Sequence, residues 1–228
     1  MSPNQTSFKN CLDHVERRLK QANITFDYCK RLTMGGQISY AYNAAFALVH
    51  KVEQLALLTR VLPAYTGNPQ AAATTERILL DTIPVKIGFT QQGWFGVTIP
   101  VLLPKKSKGS PEYIRSYLYP SMRQFFQERE PISYSNCVLI FRHIYSQARP
   151  ERAYRDHDNI EINAVADIVA LYVMKDDSAL RCAHYYCSAV GDSDRTEVYV
   201  VHQSELADWL VAERSFPDAG IELLENYP

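Results

Sequence analysis

Apolar residues recur at three- and four-residue spacing through residues 6–32, with Phe8, Leu12, Val15, Leu19 and Ala22 on one side and charged residues on the other. That is the period of an amphipathic helix, and Thr6 or Ser7 can cap its start. Met34-Gly35-Gly36 interrupts the pattern, because glycine supplies the backbone freedom of a tight reversal. A second helical pattern covers residues 37–62, with Tyr42, Ala45, Phe46, Val49, Val52, Leu55 and Ala56 on one side. It stops at Pro63 and Thr66-Gly67-Asn68-Pro69. Together these predict an αα-hairpin. The surroundings of Tyr40-Ala41-Tyr42 read as core or as a dimer contact, and core is favoured because apolar stripes usually face the parent domain. Residues 70–75 read as a small-residue linker.

Beyond this linker the period changes from near four to two. Residues 83–90 and 94–103 are rich in β-branched and aromatic side chains and flank Gln91-Gln92-Gly93, which predicts a hairpin. A basic loop over residues 104–110 precedes a helical pattern at residues 111–130, which Pro120 should kink or split. Residues 134–145 read as a strong strand. After a loop carrying Arg149, Arg152 and Arg155 comes a helix over residues 158–172. Residues 179–190 and 196–202 read as a second hairpin across Gly191-Asp192-Ser193-Asp194, and residues 203–212 as a short helix capped by Ser204. The expected class is α+β, a mixed sheet with packed helices preceded by a helical hairpin. The expected divisions are residues 1–70, 71–214 and an acidic, loosely held tail at 215–228.

Composition narrows this picture in three ways. No apolar run reaches the roughly 18 residues that a membrane span needs. Met1-Ser2-Pro3-Asn4-Gln5 lacks the basic-then-apolar plan of a signal peptide, so a cytoplasmic location with no membrane partner is expected. The five cysteines, Cys11, Cys29, Cys137, Cys182 and Cys187, form no CxxC pair, and Cys137 and Cys182 read as reduced, buried small hydrophobes. Charge is split along the chain. Residues 156–228 hold 15 Asp and Glu against 4 Lys and Arg, a balance of −11, and residues 1–155 hold 20 Lys and Arg against 10 Asp and Glu, a balance of +10. Such a split points to a polyanion or a charge-complementary partner.

The acids are not scattered. Asp156-His157-Asp158-Asn159 precedes the apolar helix and Lys175-Asp176-Asp177-Ser178 follows it. Clustered carboxylates suit a hard divalent cation, which takes several oxygen ligands. Each acid also has a local reading. Asp158 with Glu161 fits a capping box, Asp156 a cap or an Asx-turn, and Asp176-Asp177-Ser178 a turn between helix and strand. Convergence of the two pairs requires the chain after Tyr172 to turn back towards the helix start, or a partner chain to supply the second pair. Asn159, Asn163 and Asp167 lie four residues apart on an otherwise apolar helix, which reads as a lined site. His157 between two acids would suit a transition metal, but neighbours in extended chain point to opposite sides. His143, His184 and His202 stand singly in strands and read as structural.

These residues resemble the RusA family of Holliday-junction resolvases, whose pattern is a strand, a basic loop, Asp-x-Asp-Asn, a helix, and a strand opening on Asp-Asp. The likeness covers roughly residues 80–212 and is sharpest over residues 137–200. It implies a homodimeric, Mg²⁺-dependent endonuclease of branched or duplex DNA, with Mn²⁺ as a substitute ion. By position, Asp156, Asp158 and Asp177 would be catalytic, and Asp156, Asp158, Asp176 and Asp177 would hold the metal. Lys105, Lys106, Lys108, Arg149, Arg152 and Arg155 would contact phosphates, and Asn159, Asn163, Asp167 and Lys175 would support the site. The family's helix lysine falls on Ile162 here, followed by Asn163, and Lys175 is the nearest substitute in sequence. The alternative is a catalytically impaired relative that binds DNA or serves assembly, with the N-terminal hairpin as the candidate assembly element.

Overall fold

The computed structural model describes residues 3–107, 109–130, 132–150, 154–215 and 220–224. Two of the expected phosphate contacts, Lys108 and Arg152, lie outside the described residues. The chain divides into two compact units, Met1–Ile78 and Leu79–Pro228.

The first unit is the predicted helical hairpin. Helices α1 (Pro3–Met34) and α2 (Ile38–Val61) pack along one another across the reversal at Gly36, whose φ of 72° is the left-handed value glycine tolerates. The buried seam of α1 keeps Val15 and Ala22 of the predicted stripe but leaves Leu12 and Leu19 exposed. It runs through Cys11, Val15, Arg18, Ala22, Thr25, Cys29 and Leu32, alternately four and three residues apart, the spacing of a helix pair in close register. Polar contacts lace it: Arg18 donates to Gln54 at 2.9 Å and Lys51 to Thr25 at 2.5 Å. Small and polar side chains let the helices approach, and the large apolar ones point outward. Leu12, Leu19, Tyr42, Phe46, Val49 and Val52 are exposed, and Tyr40 is 66% exposed. The core reading of that stripe is therefore corrected. The expected linker is corrected too. Residues 71–75 begin α3 (Ala71–Thr82), where alanine's high helix propensity prevails and Asn68 accepts the Gln70 N–H at the start.

The second unit is α+β, with a five-stranded mixed sheet in the order β1-β2-β5-β3-β4. The strands are β1 (Lys86–Phe89), β2 (Phe95–Ile99), β3 (Cys137–Ser146), β4 (Cys182–Gly191) and β5 (Arg195–His202). Helix α4 (Ser110–Phe125) follows β2, α5 (Asn163–Val173) joins β3 to β4, and α6 (Leu206–Ser215) follows β5. The expected hairpin of the last two strands does not form. β3 lies between them, antiparallel to β5 and parallel to β4. The apolar β3, buried on both faces over nine of its ten residues, takes the centre and both neighbours. Helix α4 runs unbroken through Pro120, because its buried Ile114, Tyr117, Leu118, Met122 and Phe125 hold it to the core against the lost backbone bond.

Two apolar layers sandwich the sheet. Cys137, Leu139 and Phe141 face a core with α4 and α5, and Val138 and Ile140 face Trp209 of α6. Ser204 sits inside a 3₁₀ turn (Gln203–Glu205) before α6 and does not cap it. The described part of the tail is held, not loose: Leu224 and Phe89 exchange backbone hydrogen bonds of 2.7 and 3.0 Å.

One charged network is buried in this unit. Glu197 accepts from Arg195 at 2.7 Å, Arg142 at 2.9 Å and the Tyr199 hydroxyl at 3.1 Å. Arg142 also donates to Glu213 at 3.0 Å. Burial pulls the Arg142 pKa down, but Glu197 and Glu213 outweigh it and the net shift is upward. Gly220, at φ 76°, closes over Glu197, and a Cβ there would meet its Oε1 at 2.4 Å. Removing one member leaves buried charge uncompensated. Glu197→Ala is expected to lower stability by about 3–5 kcal/mol in equilibrium urea unfolding. A change within the scatter of surface substitutions would show that the network contributes nothing net.

Candidate functional site

The β3–α5–β4 crossover decides where the acids go. Parallel neighbours need a connection that returns the chain to the starting end of the sheet, and here α5 makes that return. Asp156–Asn159 lies between the end of β3 and α5, and Asp176–Asp177 between α5 and the start of β4. The two acid pairs therefore stand at opposite ends of an eleven-residue helix, about 16 Å long.

Around Asp156 the chain makes a 3₁₀ turn (His157–Asn159), then Ile160 extends. The predicted helix start at Asp158 is thus corrected to Asn163, with Ile162 at the cap position and Glu161 buried. Ile160 is fully buried and bridges Lys105, and that pull on the backbone delays the helix. Three contacts fasten the turn to the preceding basic loop. The Lys106 N–H donates to the Asn159 carbonyl at 2.8 Å and the Glu161 N–H to the Pro104 carbonyl at 2.9 Å, and the Arg155 guanidinium donates to the Leu103 carbonyl. Lys105 and Lys106 are thereby brought beside Asp158 and Asn159. Asp156, Asp158, Asn159 and Lys106 are exposed.

At the other end, Asp176 forms an Asx-turn. It accepts the Ser178 hydroxyl at 2.7 Å and the Ser178 N–H at 3.0 Å. The Ser178 hydroxyl, then its N–H, hold the Asp176 carboxyl below its ordinary pKa, and Arg181 adds to this. Lys175 bonds through its N–H to the Tyr134 carbonyl at 2.9 Å. Asn163 and Asp167 face solvent, with Asp167 3.4 Å from an exposed Arg115, so the polar row lines no buried site. Arg149 is committed to Asp194, which raises its pKa despite opposing burial. Among the described residues, no three His, Cys, Asp or Glu side chains group closely enough to hold a metal ion. Within one chain, the four acids do not fit a single cation.

Between the two acid pairs runs a row whose Cys182 and His184 the sequence marks only as structural. Cys182, His184, Tyr186 and Ser188 alternate along β4, and alternate residues of a strand share one face. Tyr186 stacks on Phe141 with ring centroids 5.7 Å apart, and His184 Nδ1 lies 3.0 Å from the Tyr186 hydroxyl. His157 Nε2 lies 3.0 Å from the Ser188 hydroxyl, and its ring is 5.5 Å from that of His143. His143 is 1% exposed, and neither of its ring nitrogens has a hydrogen-bond partner among the described residues. The two-residue spacing of polar side chains in β4 was the available signal. The partnership of His143 and His157 had none, because it depends on how the turn folds back.

A family described as "Family of unknown function (DUF6100)" matches residues 4–226. The chain belongs to this family. Among curated proteins, nothing matches it. No helix among the described residues is long and apolar enough to cross a membrane.

The buried imidazole makes stability depend on pH. Burial first, then His157 and Arg155, push the His143 pKa from 6.5 down to about 4. Between those values the unfolded chain binds a proton that the folded chain does not, so stability rises with pH across the window. The contribution is complete above pH 6.5 and is lost as pH falls towards 4, a change of about 3 kcal/mol. His143→Leu is expected to flatten this segment of a stability-versus-pH curve from urea unfolding. A variant that retains the wild-type slope would contradict the assignment.

Proposed function

We propose that this chain is a RusA-like protein that binds branched or duplex DNA as a homodimer, and that its acids serve Mg²⁺-dependent phosphodiester hydrolysis when two copies combine. The observation that carries this reading is the hydrogen-bonded joining of the Lys105–Lys106 loop to the Asp-x-Asp-Asn turn. It sets phosphate-binding charge beside carboxylates at one exposed edge. It also brings lysine charge near the acids, although Ile162 occupies the family's lysine position. The element order β3, turn, α5, Asp-Asp, β4 agrees with the family pattern.

A second copy approaching antiparallel would set the Asp176–Asp177 end of one crossover against the Asp156–Asp158 end of the other. The acids that one chain keeps apart would then meet in pairs. A hard cation held there would activate water and offset charge on the scissile phosphate.

A specific observation favours a second reading, a non-cleaving DNA-binding or assembly module. Arg149 and Arg155 are engaged inside the fold, and the supporting helix lysine is absent. One experiment separates the two. Purified protein is incubated with a four-way junction and a matched duplex at low salt, with Mg²⁺ or Mn²⁺. The endonuclease reading predicts junction cleavage that Asp156→Asn or Asp177→Asn abolishes without loss of binding. Binding without cleavage supports the second reading in its DNA-binding form, and no binding to any DNA overturns the endonuclease reading and leaves assembly as the only form of the second. Lys106→Ala is expected to weaken binding evenly across sequences and to reduce the log–log salt slope by about 1.

A further inference from the structure

Cys137 and Cys182 are direct partners in the parallel β3–β4 ladder. Neighbouring strands lie about 4.8 Å apart, inside the roughly 4.4–6.8 Å Cα separation that a disulfide spans. Both side chains lie in the core that packs against α5. Cys137 first, then His184 and the Leu139 N–H, hold the Cys182 pKa below its ordinary value against burial. That lowering favours the thiolate, which is the form that reacts. β4 is the edge strand, and His184 and Ala183 beside Cys182 are exposed, which leaves a short path for a small reagent.

We infer that Cys137 and Cys182 are a peroxide-oxidisable dithiol that closes to a reversible disulfide joining β3 to the edge strand β4. In the first step the Cys182 thiolate attacks one oxygen of a hydroperoxide. An S–O bond forms, the O–O bond breaks, and hydroxide or alkoxide leaves with the electron pair. In the second step the Cys137 sulfur attacks the Cys182 sulfenic acid. The S–S bond forms, the S–O bond breaks, and the Cys137 proton leaves with the departing hydroxide as water. Two electrons pass from the dithiol to the peroxide, and a small dithiol returns them by exchange.

The proton distribution suits these roles. The Cys137 S–H lowers Cys182 to about 5, burial opposes this, and His184 adds to it. Cys137 is shifted upward, first by Cys182 and then by burial, and keeps its proton. His184 is raised, first by Cys182, against burial, with Asp177 adding. Cys187, on the opposite face of β4, has no such surroundings, and burial pushes it up to about 12. The disulfide would pin the first residue of β4 and so fix the Asp176–Asp177 turn just before it. The dithiol stands independently of the nuclease reading.

The test uses the full chain, reduced and then exposed to hydrogen peroxide, with remaining thiols alkylated before proteolysis and mass spectrometry. The expected result is a Cys137–Cys182 linked peptide, with loss of two hydrogens and of two alkylatable thiols, forming ahead of any link involving Cys11, Cys29 or Cys187. Dithiothreitol should reverse it. Cys137→Ser should halt Cys182 at a sulfenic acid that dimedone traps. The inference is overturned if Cys137 and Cys182 stay alkylatable while the other thiols oxidise, or if Cys182 proceeds to sulfinic acid with Cys137 still free. Both outcomes are read on the unmutated protein, so a variant that fails to fold does not blur the result.

Discussion

The parallel pairing of β3 with β4 is the constraint on which the rest of the second unit depends. It obliges the chain to cross back over the sheet, and α5 is the crossing. Helix α5 is apolar because it covers Leu139, Phe141 and their neighbours. The acids flank it because polar residues are what an apolar crossing leaves for its ends. That one arrangement sends the two carboxylate pairs to opposite ends and lays the row of Cys182, His184, Tyr186 and Ser188 between them.

The site therefore differs in kind from a preformed metal centre. Its acids are exposed, and Asp176 is already satisfied by Ser178. By contrast, the buried polar capital of this unit lies elsewhere, in the Arg142–Glu197 network on the far face and in His143 beneath the turn. These hold the sheet and the turn in place and leave the acids at the surface. The same economy recurs at the edge strand, where the Cys137–Cys182 pair can tie β4 down next to the Asp-Asp turn without altering the core.

Much of the fold was legible from period alone, because helix and strand patterns report which side of an element is buried. The strand at Cys137–Ser146, the first hairpin and both long helices appear close to their expected places. The failures share a cause: local pattern says nothing about which neighbour an element chooses. Tyr42, Phe46, Val49 and Val52 form a proper helical stripe, yet α1 and α2 join through Ala22, Ala41 and Ala44. Residues 182–191 and 195–202 look like a hairpin, yet the strand between them in space comes from forty residues earlier in sequence. At the site, the acids and Lys106 were visible as residue types, whereas their adjacency rests on backbone bonds spanning more than fifty positions. His143 was hidden by its strand, since an alternating run gives no sign that an imidazole inside it lacks a partner.

The central claim is that the acids of one chain are completed by those of another, and complementation between two inactive variants tests it most directly. Asp156→Asn and Asp177→Asn chains are refolded together and assayed on a four-way junction with Mg²⁺. If the site is shared, each mixed dimer carries one composite site with both native acids, and nicking returns to roughly a quarter of the wild-type level. If wild-type protein cuts while the mixture stays as inactive as either parent, each chain holds its own site and the account is contradicted.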